Sequence, residues 1–256
     1  MGSVISLSLL ALVATAEAPP APAPSAVPTL QEVLGHLDRL YRSDTSRGKM
    51  EMKVRTKHFQ RDLVLESWSR GEDHSLVVIR SPAREAGSAT LRTPKGLWTY
   101  APRADRMLRI PSGMLSESWM GSHFSNDDLM RESSWVDDYD TKITPKTEGG
   151  KEILELVSIP KPDAPVVYTK VVQTLTREGW IPLEARYYDG ESLVRTMEFL
   201  DVKTFSGKKI PSRLRLVPTD KPNESTEVIY QDMVFNGDVD NNLFTPRGLR
   251  KAARQR

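Results

Sequence analysis

His123, Asp127 and Asp128 stand close together in the chain, and side chains of these types can supply a base and a pair of acids. Their spacing argues against that chemistry. Neighbouring residues on a helix point about 100° apart, so Asp127 and Asp128 would not face one shared substrate. Carboxylates that follow Ser125 and Asn126 suit the first turn of a helix, where they meet the positive end of its dipole. No Ser/His/Asp or metal-ligand spacing surrounds His123, and Ser122 lacks the Gly-x-Ser-x-Gly frame of a nucleophile elbow. His36, His58 and His74 are scattered among expected surface positions. Asp137, Asp138 and Asp140 lack the spacing and terminal Glu of a calcium loop. There is no Walker loop, GxGxxG or HExxH. The chain has no cysteine, which removes thiol catalysis, Cys-based zinc sites and lipid attachment through an N-terminal Cys. These residues predict no enzyme, no metal and no cofactor.

What remains is greasy. Pro111 to Glu132, PSGMLSESWMGSHFSNDDLMRE, concentrates Met114, Leu115, Trp119, Met120, Phe124, Leu129 and Met130. Met is unbranched and repacks at little cost, so such a segment suits a surface whose contents change. Arg103, Arg106 and Arg109 precede it, either as a protected strand edge or as contacts for anionic head groups at a groove mouth.

These residues need a frame, and the flanking sequence predicts a sheet. Thr29 and Glu32 match a capping box, and Leu30, Val33, Leu34, Leu37, Leu40 and Tyr41 follow at helical spacing to about Ser43. From Arg47 the period becomes two: Met50, Met52 and Val54 alternate with charged residues. Short strand-like stretches continue through Ala101, among them Ser88–Thr93 and Gly96–Ala101. They resume with Trp135–Ile143 and Val166–Thr176 and run on to Phe235, separated by turns such as Arg70-Gly71-Glu72-Asp73 and Asp189-Gly190. This pattern predicts a mainly β, strongly curved antiparallel sheet, broken once by short helical pieces lying across its concave side.

The ends carry their own signals. Val4 to Ala16 is apolar but too short for a bilayer, which takes about 20 residues, and the small residues Ala14, Ala16 and Ala18 follow it. Residues 1–18 therefore read as a secretory signal and 19–28 as a Pro/Ala-rich linker, semi-rigid because Pro fixes φ. Residues 29–246 are expected to form one domain. Arg247, Arg250, Lys251, Arg254 and Arg256 make a basic tail over 247–256, expected to be disordered and able to touch an anionic membrane. Net charge is +2, and without these five cations the body turns slightly acidic, which argues against a nucleic-acid partner.

Ser118-Trp119-Met120-Gly121-Ser122-His123-Phe124-Ser125-Asn126-Asp127-Asp128-Leu129 resembles a signature of LolA-like outer-membrane lipoprotein-sorting proteins, S-[FW]-M-G-S-x-[FL]-[ST]-x-[ED]-D-L. Its context is also similar: Leu97-Trp98-Thr99-Tyr100-Ala101-Pro102, then Arg106-Met107-Leu108-Arg109-Ile110-Pro111, then the motif. The resemblance implies an incomplete β-barrel of about eleven strands with helices filling its mouth. It implies a periplasmic carrier of a lipid or acylated lipoprotein between the inner and outer membranes. An inner-membrane transporter of ABC or RND type would be its donor, and membrane contact would be transient. The alternative is a non-catalytic docking module of an envelope transporter. The Pro/Ala linker and the basic tail are not part of the family pattern. On the carrier reading, Met50, Met52, Val54, Leu65, Trp98, Tyr100, Met107, Met114, Leu115, Trp119, Met120, Phe124 and Leu129 are expected to line the acyl groove or its lid, with Arg103, Arg106 and Arg109 as head-group contacts.

Overall fold

The computed structural model of the protein describes residues 28–126, 128, 135–162, 164 and 166–255. The expected leader, nearly all of the linker, Asp127, Leu129 and Met130 lie outside the described residues. Thr29 opens the fold: its backbone N–H donates to the Glu32 carboxylate at 2.8 Å, and its hydroxyl accepts from the Glu32 N–H, closing the capping box. Helix α1 (Leu30–Asp38) buries Val33 and Leu34. It stops short of the expected Ser43. Arg42 Nε donates back to the Asp38 carbonyl at 3.0 Å, satisfying a helix-end acceptor, and Ser43 turns the chain with φ 53. Leu40 and Tyr41 keep the apolar rhythm only because this turn lays them on the sheet beside Met233 and Phe235.

The strands then follow in order: β1 (Thr45–Arg55), β2 (Gln60–Arg70), β3 (His74–Ser81), β4 (Ala89–Thr93), β5 (Gly96–Ala101), β6 (Arg106–Arg109), β7 (Tyr139–Glu148), β8 (Lys151–Pro160), β9 (Lys170–Thr176), β10 (Pro182–Asp189), β11 (Ser192–Phe205), β12 (Lys208–Pro218) and β13 (Ser225–Phe235). They make one antiparallel sheet of thirteen strands rather than about eleven, ordered β6-β5-β4-β3-β2-β1-β13-β12-β11-β10-β9-β8-β7. The stretch Arg106–Arg109, read from its charge, is itself a strand. Trp135–Ile143 is not one strand: Trp135–Asp138 forms a helical turn, α2, which brings the Trp135 ring beside that of Tyr139, centroids 5.1 Å apart and planes tilted by 38°. Strand β9 begins at Lys170, not Val166.

This order has one consequence for function. The chain builds outward from β1 to one edge at β6, restarts at the other edge with β7, and closes inward on β1 through β13. Consecutive strands β6 and β7 are therefore the two free edges. The chain that joins these two edges leaves β6 at Ile110, and its residues Trp119, Met120 and Phe124 lie against the concave face.

The basic tail is a correction. Pro246–Arg254 forms helix α3, capped by Thr245, whose hydroxyl accepts from the Gly248 N–H at 3.1 Å. Gly248, Leu249, Ala252 and Ala253 are buried, while Arg247, Lys251 and Arg254 face outward. A Cβ at Gly248 would fall 1.7 Å from the Asn242 carbonyl oxygen, so only glycine lets the helix start there. Its buried face joins Trp68, Leu76, Ala89, Leu91 and Tyr100, and Arg80 Nη1 donates to the Ala252 carbonyl at 2.8 Å. Charge alone suggested disorder, but the small and apolar residues recur at helical spacing. Leu249→Ala is expected to cost about 2–5 kcal/mol in urea unfolding, whereas Lys251→Glu should stay within about 0.5 kcal/mol. Equal effects of the two would refute a docked helix.

Candidate functional site: a covered apolar cavity

Period-2 alternation puts Met50, Met52 and Val54 of β1 on one face, opposite Leu65, Leu63 and Arg61 of β2. Val77 and Leu97 continue this face on one side of β1. Pro182, Tyr187, Met197, Phe199, Leu214 and Val228 continue it on the other. Strands β5 and β10 are far apart in the strand order, yet their residues line one cavity of about 350 Å³. The sheet achieves this by curling, and the cavity lies on its concave side. Leu37, Leu40 and Tyr41 close one end.

The crossing segment supplies the cover. Between Ser118 and Ser125 the chain folds into a tight loop, joined by an isolated bridge and by Trp119 N donating to Phe124 O at 2.7 Å. Ser118 Oγ donates to the Ser122 carbonyl at 2.6 Å, and Ser122 Oγ to the Trp119 carbonyl at 2.7 Å. The turn needs two successive left-handed residues, Met120 (φ 52) and Gly121 (φ 72). This loop drives Trp119 into the cavity, where it is 6% exposed and its Nε1 donates to Thr90 Oγ1 at 3.0 Å. Phe124 lines the same space, and Met120 packs against the core around it.

Polar anchors hold the loop down. Arg61 donates to the Met120 carbonyl and pairs with Glu85. The His123 backbone N–H donates to Thr226 Oγ1 at 3.0 Å, and its ring lies 2.8 Å from that hydroxyl and 3.2 Å from Glu224. Ser125 and Asp128 bond each other reciprocally, N–H to side chain in both directions. Asp128 also takes a two-point pair from Arg195, at 2.8 and 2.5 Å. Tyr168 and Tyr187 place their rings 4.5 and 4.3 Å from the Arg195 guanidinium. Burial pushes the Asp128 carboxyl up, but the Arg195 bonds and charge outweigh it and hold the group below its usual range. At the α1 end, burial raises the Asp38 carboxyl against the pull of Arg42.

The expected groove residues divide. Met50, Leu65, Trp119 and Phe124 line the cavity, with Met52, Val54 and Met120 in the core cluster that continues it. Trp98 and Tyr100 do not. They alternate with Leu97 and Thr99, so they point to the convex face, where Tyr100 packs in the cluster under α3. Met107 pairs with Tyr100 and joins the same convex cluster. Met114 is 51% exposed and Leu115 is half-buried outside the cavity lining, because both sit in a 3-10 turn before the loop. The three arginines do not converge on the mouth. Arg106 and Arg109 are an odd number of residues apart on β6 and face opposite sides, and Arg103 donates to the Arg84 carbonyl from a separate turn.

Arg61, Glu85, Thr90, Arg195, Glu224 and Thr226 escaped the sequence reading. Arg61, Thr90, Arg195 and Thr226 lie on strands and Glu85 and Glu224 in the connections before β4 and β13; each is a polar residue distant in sequence from Trp119 and carries no local signal. Met197, Phe199 and Tyr230 alternate legibly, but alternation does not say which face becomes covered.

Solved structures share this fold. An outer membrane lipoprotein-sorting protein domain from Vibrio parahaemolyticus matches with a TM-score of 0.74 and 23% identity, over 86% of this chain and 97% of that one. A DUF1329 family protein from Desulfovibrio piger matches at 0.76 with 21% identity, over 85% and 96%. A LolA superfamily protein from Nitrosomonas europaea matches at 0.71 with 22% identity, over 85% and 97%. These likenesses establish the LolA-like fold. A family model described as that of an uncharacterized protein matches residues 71–251. No curated protein matches the sequence.

Proposed function

We propose that this chain, which belongs to the family matched over residues 71–251 and has the LolA-like fold, is an exported carrier of acylated cargo rather than an enzyme. Residues 1–18 would be its leader and 19–28 its spacer. A lipid or a lipoprotein would enter from an inner-membrane transporter of ABC or RND type and leave at the outer membrane. The supporting observation is the apolar cavity covered by a separately anchored loop. No helix among the described residues is long and apolar enough to cross a membrane.

A carrier must bind acyl chains and also release them. Burying a sixteen-carbon chain contributes about 12 kcal/mol, at about 0.8 kcal/mol per CH₂. Binding that strong would make release slow. Here the loop already fills part of the space: Trp119 is buried and Phe124 and Met120 are partly so, where a fully buried apolar side chain is worth about 1.5–3 kcal/mol. Cargo would displace these contacts, and their return would favour release. The anchors at Arg61, His123 and Asp128 keep the loop tethered during the exchange.

Native mass spectrometry of the full chain, purified gently and then exposed to phospholipid vesicles or a diacylated lipopeptide, tests this reading. A discrete bound acyl species is expected, with uptake strongly reduced in Met120→Glu. Met120 is half-buried on the loop, so the variant should fold. A protein that stays free of lipid under both conditions, yet retains a stable envelope partner, would replace the carrier with a docking module.

A further inference from the structure

We propose that the cavity contains a hydrogen-bonding subsite at Gln173, and that the buried part of its ligand carries a neutral donor, a hydroxyl or an amide N–H. The inference rests on the carrier reading and specifies what is carried. Gln173 lies on β9 between Leu156 of β8 and Ala185 of β10. Around it the concave face is apolar, with Leu154, Leu156, Leu175 and Ala185 each 0% exposed, and the buried hydroxyl of Ser158 on the same face is already paired with Thr141 at 2.9 Å. A Leu or Met at 173 would continue the pattern without any polar atom to satisfy. Gln173 is instead 4% exposed and lines the cavity, and its Oε1 has no hydrogen-bond partner among the described residues. Buried acceptors are nearly always paired, and an unpaired one is costly. A plain hydrocarbon tail cannot pair it.

The surroundings narrow the donor. Both carboxylates that line this cavity are already engaged, Asp128 by Arg195 and Ser125, and Asp38 by the Trp135 backbone N–H and the charge of Arg42. A cationic ligand group would therefore enter without a free counter-charge, which burial penalises far more than a neutral group. A neutral O–H or N–H fits. A hydroxylated lipid supplies the first, and the amide-linked acyl group of a lipoprotein supplies the second.

The test is competitive displacement of a fluorescent fatty-acyl probe from the full chain by three ligands that share a sixteen-carbon chain: hexadecan-1-ol, N-methylpalmitamide and methyl palmitate. The first two carry a donor, whereas methyl palmitate has only acceptors. At least one donor ligand is expected to bind about 10-fold or more tighter than the ester, the usual scale for one satisfied buried hydrogen bond. Preference for the alcohol alone would indicate a hydroxylated lipid, and preference for the amide alone an amide-linked acyl group. In Gln173→Met the preference should collapse while ester binding persists, which shows that the cavity is intact. Equal binding of all three would overturn the subsite, with an ordered water satisfying Gln173, and leave the carrier standing. A preference that survives in Gln173→Met would overturn it as well. Failure of all three to bind would remove the carrier reading together with the subsite.

Discussion

Trp119→Ala is expected to lower unfolding stability by about 3–5 kcal/mol, the range for truncating a buried large aromatic. The indole is 6% exposed, packs in the main core cluster and donates a hydrogen bond to Thr90. Trp119→Phe should cost less, because it keeps most of the packing and loses mainly the bond, about 1 kcal/mol. Function should move the other way. If the loop competes with cargo for the cavity, removing its largest side chain takes away the competitor and leaves more room. Acyl ligands should then bind more tightly to Trp119→Ala and leave more slowly. Urea unfolding and a displacement assay on the same preparations measure both quantities. A destabilised variant with weaker ligand binding would mean that Trp119 is a fixed wall, and the displacement mechanism would fall.

Arg195→Met is the second large effect, expected at about 3–5 kcal/mol at pH 7 because it strands a buried carboxylate. Arg195 and Asp128 side chains are 7% and 19% exposed, so solvent does little to screen the pair. The double variant Asp128→Leu with Arg195→Met should recover much of the loss, since no charge is then left without a partner. The pH dependence follows from the direction of the shift. In the native chain the folded Asp128 carboxyl titrates below its unfolded value of about 3.9. The pair's contribution is therefore complete above pH 4 and is lost as pH falls through the folded value. In Arg195→Met the carboxyl is buried without its cation and titrates higher. That variant should become more stable, relative to native, as pH falls from 7 toward 5. A destabilisation that is the same at both values would show that Asp128 is solvated once Arg195 is gone.

Much of the architecture was legible in the chain because its signals are local. The capping box at Thr29 and Glu32, the period of two from Met50 to Val54 and the turn residues need only near neighbours to act, and the structure contains each of them. The motif from Ser118 to Asp128 was legible for the same reason: its serines bond within the loop, and its glycine permits the turn. The faces of the edge strands were not legible. Trp98 and Tyr100 look as apolar as any cavity residue, and only the docking of α3 on the convex side shows what covers them. The basic residues of that helix concealed its buried face.

Alternation, caps and turns are written within a few residues, and they specify an antiparallel sheet interrupted by one apolar segment. Only long-range packing makes β6 and β7 the two edges, lays the loop Ser118–Ser125 over the cavity, and lets Arg61, Arg195 and Thr226 hold it there. The reason is physical. Pairing order and buried polar contacts join residues more than fifty positions apart, and no short-range pattern records which distant partner a lone arginine or threonine will meet.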